Sequence, residues 1–337
     1  MSKRWNQILL AIILGAIIPS VIFAVWERYA PPAAMQEPEN TEASEVTTTS
    51  PEEDPTQPME GQQQTVNLPV LMSDGSVHEL DMDAYLTAVI LKEMPSEFEM
   101  EAMKAQAVAC RTYTLFKMAK HKHDGAALCT DASCCQGYCT QEAYLEAGGT
   151  EETINKVQQA VAQTKDLVLT YDGKLIEATY FSCSGGKTED AKAVWGTDVP
   201  YLQATDSPGE EEATHYTDTV TFSADEFSAL LGDTLTGPSA GWLERVTYTD
   251  GGGVATMTLC GKTYQGTQLR QLLGLHSTAF VFTALGDTIT ITTKGFGHRV
   301  GMSQYGADAM AVAGSDFEQI LAHYYKDTTL EQYDLTD

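Results

Sequence analysis

The chain has 337 residues, 43% of them apolar and 20% charged, which is enough apolar material for one large or two modest globular domains with appendages and excludes disorder throughout. Its net charge of -27 does not come from a tail alone, since 38 acidic residues against 17 basic ones lie from residue 66 onward. Nucleic acid and anionic membrane surfaces are thereby disfavoured as main partners, because phosphate binding needs clustered Lys and Arg; a neutral or weakly charged ligand is easier to accommodate.

At the N-terminus, Lys3 and Arg4 precede the uncharged stretch ILLAIILGAIIPSVIFAVW (8–26). At about 1.5 Å per residue such a helix spans a hydrocarbon core of roughly 30 Å. Trp5 and Trp26 bracket it as interfacial aromatics, and the early bases favour an inside N-terminus with everything after residue 28 outside the cytoplasm. A cleaved signal peptide is the competing reading, but the apolar run is long for one and no small-x-small site ends it. Residues 1–28 are therefore read as a cytoplasmic stub and membrane anchor. Residues 29–65, rich in Pro, Glu and Thr and without aromatics from 31 on, form a disordered acidic tether that cannot bury enough apolar surface to offset ordering.

The folded part, 66–337, opens with LPVLM and SVHEL flanking Ser73-Asp74-Gly75, a hairpin signal; LVLTY and KLIEATYF flank Asp172-Gly173 in the same way. Between them the spacing predicts a helix N-capped by Asp83 and ended by Pro95, a second from about Glu99 to Lys120 with Met103, Ala107, Cys110 and Thr114 on one stripe, and a third over roughly 151–164. Helical candidates at 224–231, 267–273, 304–313 and 315–325 alternate with strand-like VTYTD, ATMTLC and DTITITTK. The fold class is α+β: mixed helices and short antiparallel strands around a substrate cleft, without regular βαβ alternation.

Three sets of residues carry chemistry. Glu93 ends an apolar helix beside Met94, Pro95 and Phe98. A carboxyl in apolar surroundings keeps its proton to higher pH, as a general acid at neutral pH requires; a solvated helix-end glutamate is the plainer reading. Lys104, Gln106 and Arg111 lie on the next helix, each with a surface side chain as its plain reading. Five of the seven cysteines fall between 110 and 139, and His123, Cys129 and Cys135 are spaced six apart. Zinc ligation, disulfides and inert thiols all stand for these on spacing alone. Finally, SCSGGKTE (182–189) and GFGHRVGMSQYGA (295–307) combine glycines with hydroxyl, imidazole and amide groups of the kind a sugar demands, or else are only tight turns. Ser303 is not in a G-x-S-x-G elbow, which disfavours a serine hydrolase.

Together, YLTAVILKEMPSEFEMEAMKAQAVACRTYTL, the H-x5-C-x5-CQ run, SGG with AVWGTDVPYLQATDSPGE, and GHRVGMSQYGADAMA resemble the stage II sporulation protein D family over about residues 66–330. The resemblance implies a peptidoglycan lytic transglycosylase that cuts between N-acetylmuramic acid and N-acetylglucosamine and leaves a 1,6-anhydro end, with Glu93 as its catalytic residue. It implies zinc on His123, Cys129 and Cys135 in a structural role, with the fourth ligand open among Cys134, Cys139 and solvent. It also implies glycan strands stripped of stem peptides as substrate, stage II sporulation proteins P and M as partners, and a place in the mother-cell membrane at the sporulation septum. By polarity and motif position, Lys104, Arg111, Ser182, His298, Ser303, Gln304 and Tyr305 are the candidate sugar ligands. Relatives that modulate amidases suggest the alternative of a non-catalytic glycan-binding module. Cys183 departs from the small or hydroxylated residue expected there.

Overall fold

The computed structural model describes residues 67–120 and 123–334. The predicted anchor and tether lie outside the described residues, among which no helix is long and apolar enough to cross a membrane. Strand β1 (Asn67–Leu71) pairs antiparallel with β2 (Val77–Asp81) around the expected Asp74-Gly75 turn. Helix α1 (Met82–Glu93) follows directly. Its N-cap is Asp81, two residues before the predicted Asp83, because the Asp81 carboxylate accepts the amides of Asp83 and Ala84. Met94 is extended, as a residue preceding proline prefers, and ends the helix.

Helix α2 (Met100–Met118) is the centre of the first core. The sequence stripe understates its burial: every residue from Ala102 to Leu115 except Lys104 is buried, since Ala102, Ala105, Ala107 and Ala109 let neighbouring elements approach on all sides. After β3 (Leu128–Cys129), which extends the first sheet in parallel to β1, come α3 (Gln141–Glu146) and α4 (Glu151–Gln163). Helices α1 and α4 pack on α2. Strands β4 (Leu167–Tyr171) and β5 (Lys174–Leu175) form the second expected hairpin. It is shorter than KLIEATYF suggested, because the chain leaves β4 to make β6 (Tyr180–Phe181) elsewhere. A short helix, α5 (Ala191–Trp195), follows, N-capped by Asp190.

A second core occupies the middle of the chain. It comprises β7 (Thr217–Ser223), α6 (Ala224–Leu231), β8 (Leu243–Tyr248), β9 (Val254–Leu259), β10 (Lys262–Gln265), α7 (Gly266–Leu272), β11 (Phe280–Leu285) and β12 (Thr288–Lys294). Two three-stranded antiparallel sheets, β8-β9-β10 and β7-β12-β11, enclose Phe227, Trp242, Met257, Tyr264, Phe282 and Ile291. The chain then returns to the first core through β13 (Met302–Ser303), α8 (Gln304–Val312), α9 (Phe317–Tyr324) and β14 (Thr329–Gln332), the last pairing with β4. The expected helices and strands of this half are present within a few residues, and β7, β10, β11, β13 and β14 add to them.

Three long-range pairings create the site. β6 lies parallel to β13, with Tyr180 opposite Met302 and Phe181 opposite Ser303, and single bridges join Cys183 to Phe296 and Glu189 to Val300. The two glycine-rich motifs, far apart in sequence, are thus laid side by side. Gly185 and Gly295 serve this contact: a Cβ on Gly185 would stand 2.8 Å from the Gly295 nitrogen, and one on Gly295 2.6 Å from the Ser184 carbonyl carbon. Both also hold positive φ, so these glycines bring chain against chain.

Candidate active site

Glu93 sits where α1 stops, with Met94 and Phe98 buried beside it. Burial pushes its carboxyl above the ordinary glutamate range; the Gly137 amide, the Lys92 charge and the Gln304 carboxamide oppose that rise without cancelling it. The Gly137 N–H donates to Oε1 at 2.8 Å. The Gln304 amide acts on the carboxyl from alongside, but its Nε2 completes no hydrogen bond in this geometry and is buried without a partner. A proton-retaining carboxyl is thus held at a fixed angle by one backbone amide.

The carboxyl faces a cleft of about 330 Å³ lined by Tyr113, Cys135, Thr179 to Ser182, Phe296, Gly297, His298 and Gln304. Of the sequence candidates, Ser182, His298 and Gln304 join Glu93 there. The His298 Nδ1 accepts the Val300 amide at 3.1 Å, and burial, with Arg270 nearby, pushes the ring pKa down to about 4 against its bond to the Tyr180 carbonyl. At neutral pH His298 is therefore an uncharged imidazole. Ser303 and Tyr305 stand one step back. Ser303 N-caps α8, accepting the Gly306 amide, and its hydroxyl reaches the Ser182 carbonyl at 3.4 Å. That same carbonyl takes the Tyr305 amide at 3.0 Å, while the Tyr305 ring packs edge-on against Phe98.

The other two candidates are elsewhere, and sugar binding is withdrawn for them. Lys104 bonds Glu101 at 2.6 Å and lies over the Phe317 ring. Arg111 is 1% exposed and donates to the carbonyls of Val161, Thr164 and Leu167, tying α2 to the end of α4. Charge and motif position suggested a ligand; the surroundings make it a scaffold residue. Arg111→Ala, which strands three buried carbonyls, should lower unfolding free energy by about 3–5 kcal/mol in urea titrations instead of selectively weakening glycan binding.

Sequence reasoning also missed the groups that hold the cleft wall. Glu210, buried, accepts the amides of Ser184 (2.7 Å) and Gly185 (3.0 Å) and the hydroxyls of Ser184 and Ser207. Cys183, the departure noted above, donates its thiol to the same carboxylate at 3.2 Å; burial and Glu210 push that thiol up to about 12, so it is inert. Arg299 and Glu189 form a buried ion pair at 3.2 Å, and Arg299 also donates to the carbonyls of Ser184, Lys187 and Gly251, fastening the second core to the site. An acidic residue in a glycine- and serine-rich turn, SPGE, was the only sequence signal for Glu210.

His123, Cys129, Cys134 and Cys135 bring one ligand atom each within 4.8 Å of one another. None of the seven cysteines forms a disulfide. Of the candidate fourth donors, Cys134 stands within this group, whereas the Cys139 thiol turns to the Thr140 carbonyl. One imidazole and three thiols, closely grouped, suit a soft four-coordinate metal ion. Cys135 lines the cleft, Gln136 is buried with its amide directed to the Tyr85 hydroxyl, and Gly137 bonds Glu93, so this cluster abuts the catalytic candidate through three consecutive residues.

Comparison with known proteins identifies relatives along most of the chain. A family model described as "SpoIID: Stage II sporulation protein" matches residues 73–171. The chain is 40% identical over 276 residues to stage II sporulation protein D of Bacillus subtilis (strain 168), covering 80% of each chain. It is 36% identical over 330 residues to the protein of the same name from Bacillus amyloliquefaciens, covering 96% of this chain and 94% of that one. The amidase enhancer of Bacillus subtilis is 32% identical over 306 residues, 74% of this chain and 40% of that protein. With its glycine motifs joined, its Glu93 cleft formed and relatives matching along most of its length, the chain belongs to the stage II sporulation protein D family.

Proposed function

We propose that the chain is a lytic transglycosylase that cleaves the linkage between N-acetylmuramic acid and N-acetylglucosamine in peptide-stripped peptidoglycan during endospore engulfment. The observation that carries this reading is that, among the described residues, Glu93 is the only carboxylate lining the cleft, and burial raises its proton affinity. Hydrolytic glycosidases need two carboxyls about 5–10 Å apart; an intramolecular attack needs one. Glu93, protonated, gives its proton to the glycosidic oxygen as the bond to C1 breaks. The resulting carboxylate then takes the proton of the 6-hydroxyl as that oxygen closes on C1, giving a 1,6-anhydro ring and restoring the acid. Gly137 fixes the carboxyl, Ser182 and Gln304 offer uncharged hydrogen bonds to the sugars, and the neutral His298 ring lines the cleft beside them.

The test is mass spectrometry of products from purified peptide-free glycan. Anhydromuramyl ends support the reading, and reducing ends overturn it. The amidase enhancer relative favours a second reading, a glycan-binding module that stimulates an amidase; intact glycan alongside a faster partner amidase would establish it. Residues 1–28 as anchor and 29–65 as tether, in the mother-cell septal membrane with stage II sporulation proteins P and M as partners, complete the proposal.

We assign zinc to the four-donor cluster. Bound there it supplies a structural cross-link to the loop that carries Gly137, and four protein donors leave no open position for an activated water. Chelation should lower the melting temperature by about 5–10 °C and abolish glycan cleavage in parallel. Loss of activity with an unchanged melting temperature would favour metal-dependent hydrolysis.

A further inference from the structure

The ring system of the cleft does not end at its rim. Phe181 and His298 line the cleft with ring centroids 5.6 Å apart, and the next ring outward is Trp195, 5.3 Å from His298 and inclined at 53°. Trp195 is 45% exposed, whereas Trp242, the other described tryptophan, is buried at 3%. Isolated surface apolar residues need no explanation. Trp195 differs because it continues a row of rings that starts beside the reacting groups.

The indole is also rigidly presented. It closes α5, whose first residue Ala191 is buried and whose end is capped by Gly196 in the left-handed region. Just upstream, Glu189 bridges to Val300, and its amide donates to the Arg299 carbonyl at 2.5 Å, so the segments carrying Trp195 and His298 are tied to each other. His298 is uncharged, its two ring nitrogens engaged by the Val300 amide and the Tyr180 carbonyl, which leaves its ring as backing for the indole. Among the described residues no lysine or arginine lines the cleft, and the chain is acidic overall. A partner held mainly by salt bridges is disfavoured here, while a sugar ring with C–H bonds on one face matches the negative face of an indole.

We propose that Trp195, backed by His298, is a stacking subsite for a pyranose ring of the glycan strand lying outside the Glu93 cleft, so that long strands bind more tightly than short ones. This rests on the glycan reading above. Continuity with the cleft identifies the occupant as the same strand instead of a separate partner.

The test uses the full-length protein carrying Glu93→Gln to prevent turnover, with peptide-free disaccharide and octasaccharide glycans as calorimetric probes. Adding Trp195→Ala should weaken octasaccharide binding about ten-fold and leave the disaccharide unaffected, while Trp195→Tyr should hold affinity within about two-fold. Octasaccharide affinity unchanged by the alanine substitution overturns the subsite and leaves the cleavage reading intact. Equal weakening for both lengths also overturns it, because that reports damage to the cleft itself. If the parent binds neither glycan, both readings fall together.

Discussion

Glu93→Gln should reduce the rate of anhydromuramyl product formation about 10³-fold, the usual contribution of a positioned acid–base group, while leaving glycan affinity within a few-fold of the parent. The amide keeps the shape of the side chain and still accepts the Gly137 N–H, so the cleft persists without its proton. A variant that releases products at the parental rate removes Glu93 from the chemistry. The pH dependence gives a second check. Because burial raises the Glu93 pKa, the acid form persists into a higher range than an exposed glutamate allows, and the parental rate should fall as pH rises through that raised value; the variant's residual rate should be flat there.

Stability should fall with pH in the same direction, but with the variant now favoured over the parent. A carboxyl whose folded pKa is raised favours the folded state when protonated, so its contribution is fully present below the ordinary value of 4.5 and lost as pH rises through the folded value. Glu93→Gln should therefore unfold at higher temperature than the parent at neutral pH, and the difference should vanish in acid. Calorimetric melts at the two pH values measure it. Greater activity at the cost of a buried charge is the balance expected of a catalytic carboxyl.

Gly137→Ala should lower kcat about 10²-fold with little change in melting temperature. A Cβ at this position would lie 2.5 Å from Glu93 Oε1 and 2.8 Å from Lys92 Cγ. Both are atoms of side chains that can swing away, so the fold absorbs the methyl group cheaply. The carboxyl, however, must move by an ångström or so from its aligned position and weakens its hydrogen bond to the 137 amide, a displacement that costs about two orders of magnitude in rate. Steady-state kinetics should show the loss in kcat more than in KM. Parental kcat in this variant would mean that the Gly137 contact does not set the working geometry of Glu93.

Much of the fold was legible because it is local. The Asp74-Gly75 and Asp172-Gly173 turns, the Pro95 stop and the long α2 pattern each depend on a few neighbouring residues, and the structure has them in place. Misplacements were also local in origin. Asp83 precedes the apolar run and so reads as the cap, yet Asp81 has the geometry to accept both free amides. Polarity and motif position make Lys104 and Arg111 candidate sugar ligands, and only the packing of α4 against α2 shows that Arg111 is enclosed.

The sequence by itself determined the chemistry available: one carboxyl at the end of an apolar helix, a His and Cys cluster, and two glycine-rich motifs with hydroxyl and imidazole groups. Tertiary structure alone decided which of these meet. The parallel pairing of β6 with β13, the approach of Gly137 to Glu93, the grouping of Cys134 with His123, Cys129 and Cys135, and the Glu210 and Arg299 anchors all join residues dozens to more than a hundred positions apart or turn on the path of a loop. Such contacts form because burying the two cores leaves each polar group to find a partner wherever the chain has been carried, and sequence spacing holds no record of that distance.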